Sequence, residues 1–216
     1  MVAIDDGTTA RHDVDAAADA GRDLSLNRPG QLGAEKSAEL RRRAPVRAIV
    51  DRLLRRPSDQ RIWRLAAAGE RRVARTLRRL PPSWHVLHGV PIGLADDVVD
   101  HLVIGPAGVI VVNVEDGRWR SAVARSSSMT IDGRPRGVVQ ETARAARYAG
   151  VVLEAPVLAV AATIGNPPPT RHHDSEVMTL DHAELPGWIA SRPDVIDAER
   201  VCALVDVARR ESAWRC

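Results

Sequence analysis

The sequence predicts a mixed-sheet α/β domain with an arginine-rich helical extension on its N-terminal side. Three observations predict it. Two β-branched runs, 99–104 and 109–114, flank Gly105-Pro106-Ala107-Gly108 and read as a tight hairpin. A third, fully apolar run at 157–164 lies between Pro156 and Gly165 and has the pattern of a central buried strand. Helical patterns precede the hairpin at 59–80 and separate it from the third run at 140–153.

Composition supports this class. A chain of 216 residues accommodates one domain of about 150 residues plus an extension. Hydrophobic residues make up 44% of it, enough for a folded core, and with no Phe and a single Tyr that core falls to Leu, Val, Ile and five Trp. No apolar run approaches the ~18 residues of a bilayer span, and the acidic N-terminus lacks a signal-peptide pattern. The expected location is the cytoplasm. Cys202 and Cys216 have no metal-ligand spacing and form no disulfide framework.

The net charge of +3 conceals a strong asymmetry. Lys36 is the only lysine. Residues 1–40 carry eight acids against four bases, whereas residues 41–56 hold seven Arg against one Asp, and residues 61–80 seven Arg against Glu70. From residue 81 onward acids again outnumber bases. Arginine at this density suits phosphate or anionic-lipid contact, and it also suits a merely solvated helix face.

Taken in order, residues 1–33 lack apolar periodicity and are expected to be without order, save a frayed helix over 14–20. Residues 34–60 form a basic helical extension, in which Val46, Ile49, Val50, Leu53 and Leu54 fall on one face behind Pro45. That face at 46–54 can dock on the domain, lie on a membrane surface or touch nucleic acid. Residues 61–216 form the domain proper. Its first helix, capped by Ser58 or Asp59, carries Ile62, Leu65, Gly69, Val73, Leu77 and Leu80 as an apolar stripe and ends before Pro81-Pro82. Glu70 is the only acid on it after the cap.

A strand over 84–92 follows, in which His85 and His88 face opposite ways and so make no metal pair. Beyond the hairpin, 121–125 and 129–131 read as short strands around the Asp132-Gly133 turn. After the helix at 140–153 and the apolar strand, residues 166–175 form a loop with His172 and His173. A last strand is expected at 176–179, then a short helix capped by Asp181 and running to Trp188, and a C-terminal helix opened by Asp197.

Within the hairpin, Asn113 and Glu115 share a strand face and Asp100 stands beside them on the neighbouring strand. Three polar side chains on an apolar sheet are either solvated strand ends or a site. Buried polar groups are costly unless they are paired or used.

The residues also carry a resemblance. Gly69-Glu70-Arg71-Arg72-Val73-Ala74, Trp84-His85-Val86-Leu87-His88, the run Asp100-His101-Leu102-Val103-Ile104-Gly105-Pro106-Ala107-Gly108-Val109 and the helix opening near Gln140 resemble the nuclease-related domain family. The likeness extends over about residues 65–190. The segment introduced by Arg28-Pro29-Gly30 looks like that of actinobacterial members. The resemblance implies a restriction-endonuclease-like fold, a mixed sheet flanked by helices, and a Mg²⁺-dependent site built from Asp, (Glu/Asp)-x-Lys, an upstream helix Glu and a downstream Gln. Glu70 then corresponds to the helix acid, Asp100 to the first metal-binding acid and Gln140 to the helix Gln. Two positions depart from the pattern: Asn113 stands where the family has an acid, and Glu115 where it has Lys.

Phosphodiester hydrolysis uses carboxylates to hold Mg²⁺ at the scissile phosphate. Asn113 keeps a neutral oxygen but removes a charge, and Glu115 removes the cation that stabilises the transition state. Three expectations follow. One is a nuclease-like protein that binds DNA with cleavage impaired or lost. The second is an active Mg²⁺-dependent endonuclease with a rearranged site, using Asp100 and Glu115 as metal ligands. The third is a non-enzymatic interaction or membrane-surface module. Mg²⁺ is called for only where the site works, and no small-molecule cofactor is expected. Arg71, Arg72, Arg75, Arg78 and Arg79 are the expected phosphate contacts, adding affinity without base specificity.

Overall fold

The computed structural model describes residues 21–43, 59–93, 97–116, 122–125, 128–131, 133–165 and 176–215. The helices expected at 14–20 and 46–54 and the histidine loop at 166–175 lie outside these residues, and so does the membrane-surface expectation attached to 46–54. Among the described residues, no helix is long and apolar enough to cross a membrane.

The core is a five-stranded mixed sheet. Strands β1 (His85–Ile92), β2 (Asp97–Gly105) and β3 (Gly108–Asp116) run antiparallel, and β7 (Val157–Ile164) and β8 (Val177–Asp181) continue parallel to β3. The expected hairpin is present: Gly105 pairs with Gly108, and Gly108 takes φ +96°, which an L side chain rarely adopts. Helix α3 (Val138–Leu153) makes the crossover that a parallel β3–β7 pair requires. The expected short strands, β4 (Ala122–Arg125) and β5 (Ser128–Ile131), are joined by a third, β6 (Arg134–Arg136). β6 reads Arg-Pro-Arg and has no apolar pattern to announce it.

Both sheet faces are covered, which explains the near-continuous apolar character of β2, β3 and β7. Leu102, Ile104, Val109 and Val111 face α3 and the C-terminal helix α5 (Ala198–Ala208). Val103, Ile110, Val112 and Val160 face helix α2 (Asp59–Leu77) and the short helix α4 (Leu185–Ala190). Asp197 caps α5 as expected, its side chain accepting from Arg200 N at 2.8 Å. Asp181 instead ends β8 and accepts from Ala183 N at 2.8 Å in a turn, so α4 begins three residues later than expected.

Two expectations are corrected at the N-terminal side. Residues 21–33 are folded onto the domain. Leu24 is 2% exposed, its N–H donates to Arg209 O at 2.7 Å, and Asn27 Nδ2 donates to His88 O at 2.9 Å. One buried leucine contributes about 2 kcal/mol and needs no periodicity, so nothing in the sequence pattern advertised it. The apolar stripe of α2 is also shorter than expected. Val73 and Leu77 are buried, whereas Ile62 and Leu65 are 58% and 48% exposed. That first half of α2 lies beyond the sheet and meets helix α1 (Gln31–Arg43) instead.

The meeting of α1 and α2 depends on small residues. A Cβ on Gly33 would lie 3.2 Å from Ala67 Cβ, and one on Gly30 would fall against the Ala67 carbonyl oxygen. Gly30 also has φ +69°. Gly30→Ala therefore meets backbone that cannot yield and a left-handed conformation that alanine resists. It is expected to destabilise the protein by about 2–4 kcal/mol. Urea unfolding checks this, and a change below about 0.5 kcal/mol would show that α1 docking contributes nothing.

Candidate active site

The β2–β3 ladder ends at the pair His101–Val112, and the next two residues, Asp100 and Asn113, spend their side chains where ladder bonds would run. Val114 N donates to Asp100 Oδ2 at 2.7 Å, and Asp100 N donates to Asn113 Oδ1 at 3.2 Å. On the other side of Asp100, β1 is interrupted by Gly89, whose φ of +59° breaks the pairing between His88–His101 and Val90–Val99. The local geometry thus releases Asp100 from the sheet on both flanks.

Asp100 is half-buried, and burial is the first cause of its pKa being pushed up to about 8. Two acids add to this, Glu70 from α2 and Glu141 from α3, while the Val114 N–H opposes it. Glu70 is itself raised by burial, against the pull of the Gly30 N–H and the nearby Arg71. Gly30 N donates to Glu70 Oε2 at 3.0 Å, so the entry to α1 holds this carboxylate in place. Glu141 folds back over the start of α3, since a Cβ on Gly137 would lie 2.5 Å from its Oε1. Three elements therefore bring three acids into one electrostatic cluster.

Of the residues singled out from sequence, the structure joins Glu70, Asp100 and Asn113. Gln140 is exposed on the first turn of α3, and its neighbour Glu141 is the residue whose charge reaches Asp100. Sequence reading missed Glu141; a carboxylate in the first turn of the helix expected at the site was the available signal. Glu115 has a different partner. Its Oε1 accepts from Arg136 Nε at 2.9 Å and also from Arg136 Nη2, an ion pair delivered by β6. Lys36 is remote in sequence from this region and pairs on α1 with Glu39 at 3.2 Å.

The donor set suits a hard cation: oxygen ligands only, with the charges of Glu70 and Glu141 reaching Asp100. Mg²⁺ is commonly held by one or two carboxylates plus its own waters, which Asp100 and Glu70 can supply. Among the described residues no three acids or histidines converge as a complete metal cage.

The five candidate arginines are spread along α2 and the turn that follows it. Arg72 shares its surroundings with Asp116, and Arg78 with His88. Arg75 and Arg79 are exposed, and Arg71 is half-buried beside Glu70. Asp116, at the end of β3, lies so close to α2 that a Cβ on Gly69 would be 2.7 Å from its own Cβ. That contact explains a glycine on the buried stripe of a helix, where it otherwise costs about 1 kcal/mol relative to Ala.

His88 was expected to lack a metal partner in His85; its neighbour is His101. Their Nδ1 atoms are 2.9 Å apart, so one ring donates to the other and both stay neutral. Burial is the largest cause holding His88 down to about 4 and His101 to about 3.

This combination, a mixed sheet covered by helices on both faces with an acidic cluster at the start of a strand hairpin, defines the restriction-endonuclease-like class of α/β domain. Within the chain, residues 65–149 match the model of one family, the nuclease-related domain. The match runs from mid-α2 to the last turns of α3 and includes Glu70, Asp100, Asn113, Glu115, Gln140 and Glu141. Neither a curated protein nor a solved structure matches the chain.

Proposed function

We propose that this protein binds DNA through its arginine-rich side and that its phosphodiester cleavage is impaired or lost. The observation that carries the reading is the Glu115–Arg136 ion pair. At the position where the resemblance calls for a lysine, the chain places a carboxylate whose Oε1 is already committed to a guanidinium. Asn113, where an acid is called for, is 8% exposed and accepts from the Asp100 main chain, so its side chain serves the strand geometry.

A divalent cation bound by Asp100 and Glu70 would supply electrostatic stabilisation of a phosphate and an activated water. The chain's own groups then decide how far a reaction goes. Asp100 and Glu70 would release their protons to hold the cation as carboxylates, Glu141 adds to that field, and the one lysine of the chain, Lys36, is paired with Glu39. Arg136 cannot give up a proton to serve as a base. A second reading, an active nuclease, is favoured by the survival of the acidic cluster itself.

The experiment is a pair of assays on purified protein. Fluorescence anisotropy with a duplex is expected to show binding that weakens steeply with salt and is indifferent to sequence. Plasmid incubation with Mg²⁺ or Mn²⁺ is expected to show no cutting above that of Asp100→Ala. Cutting lost in Asp100→Ala would establish the active-nuclease reading. Absence of duplex binding at low salt would overturn the DNA reading.

A further inference from the structure

Helices α1 and α2 flank an open cleft of about 220 Å³ on the side of α2 away from its apolar contacts with the sheet. Its walls follow from spacing. Along α2, Arg64, Ala67 and Arg71 recur at three and four residues; along α1, Ala34, Ala38 and Arg41 do the same. Small residues let the helices approach, and arginines stand around the space between them. Ser37 completes the lining, so three of the seven lining residues are arginines and none is an acid. Among the described residues, none of Arg41, Arg64 and Arg71 is ion-paired within 4 Å.

Three arginines around one space, with Glu70 beside Arg71 as the one acid named near them, leave net positive charge there, and an anion offsets it. The volume favours a small anion, because sites for drug-sized ligands run to roughly 300–1,000 Å³, whereas this one suits one or two phosphate groups. Guanidinium forks match phosphate oxygens in pairs. We propose that the α1–α2 cleft is a phosphate site, filled by one backbone phosphate of a bound nucleic acid. The source of the phosphate rests on the DNA reading above; the site itself does not. Its position also gives α1 a role, since the same helix that supplies Arg41 starts at Gly30, the donor to Glu70. An occupied cleft would pin α1 and, through Gly30, the Glu70 carboxylate.

The test uses the full chain, with Arg41→Ala/Arg64→Ala and, as a comparator, Arg147→Ala on the opposite face. Arg41→Lys/Arg64→Lys keeps the charge and guards against a folding defect. Duplex affinity is measured from 50 to 300 mM KCl by anisotropy, and thermal stability is measured with inorganic pyrophosphate. In the alanine pair the slope of log affinity against log salt is expected to fall by about one, with the lysine pair and Arg147→Ala unchanged. Pyrophosphate is expected to raise the Tm of the unmodified chain and not that of the alanine pair. Equal slopes and equal pyrophosphate responses in the unmodified chain and the alanine pair would overturn the proposal. A pyrophosphate response confined to the unmodified chain, with no duplex binding by either, would keep the site and remove nucleic acid as its source. That same response with duplex bound at equal slopes would assign the site to a free phosphate compound.

Discussion

Asp100→Asn is expected to make this protein more stable at pH 8, by a few kcal/mol, while removing the main acid of its candidate site. The sign follows from the pKa of Asp100, which folding raises from the ordinary carboxylate range to about 8. Between pH 4 and 8 the folded chain therefore binds a proton that the unfolded chain releases, and stability falls as pH rises through that interval. His88 and His101 act in the opposite direction. Their pKa values are lowered on folding, so stability they contribute is complete above about pH 6.5 and is lost as pH falls towards 4 and 3. The two effects overlap below 6.5 and separate above it.

Between pH 6.5 and 8 the unmodified protein should therefore lose about 2 kcal/mol, at about 1.4 kcal/mol per pH unit for one proton. Asp100→Asn should show a nearly flat profile, because asparagine still accepts from Val114 N and carries no charge into the cluster of Glu70 and Glu141. Urea unfolding at pH 6.5, 7.25 and 8 measures both. Parallel profiles would mean that water, rather than protein, surrounds the Asp100 carboxyl. A divalent cation offers a further reading of the same site: Mg²⁺ should stabilise the unmodified chain at pH 8 and leave Asp100→Asn unmoved.

The second large effect is a gain. Asn113→Asp/Glu115→Lys restores the (Glu/Asp)-x-Lys pattern on β3, adding a carboxylate beside Asp100 and a cation two residues on. Cleavage of plasmid in Mg²⁺ is expected to rise at least tenfold over the unmodified protein, since one electrostatic stabiliser of a transition state is typically worth 10²–10³ in rate. The introduced lysine would meet Arg136 as a like charge where Glu115 formed an ion pair, so Arg136→Ala added to the two substitutions is expected to raise the rate further. Rates unchanged in both combinations, in protein with an unaltered unfolding curve, would show that Asn113 and Glu115 are not what limits cleavage.

Much of this architecture is readable from the residues alone. The hairpin, the central strand at 157–164 and the helix cap at Asp197 are local patterns with local causes: β-branching, a Gly-Pro-Ala-Gly turn and an aspartate ahead of a helical run. Asp100 and Glu70 were legible through resemblance, and the departures at Asn113 and Glu115 were legible as departures. Other features carry no period. Leu24 and Trp214 are buried through contacts between the two ends of the chain, and β6 is three residues of mixed character.

By itself the sequence determined the class of fold, the faces of the central strands and the inventory of charges, because burial on two sides and the helical or strand period are written residue by residue. Tertiary structure alone decided which charges meet. Arg136 reaches Glu115 across 21 positions, Gly30 reaches Glu70 across 40, and Glu141 rather than Gln140 presses on Asp100. It also set Arg41 of α1 opposite Arg64 and Arg71 of α2. Electrostatic energy depends on distance in space and on exclusion of water, and neither quantity is a function of spacing along the chain.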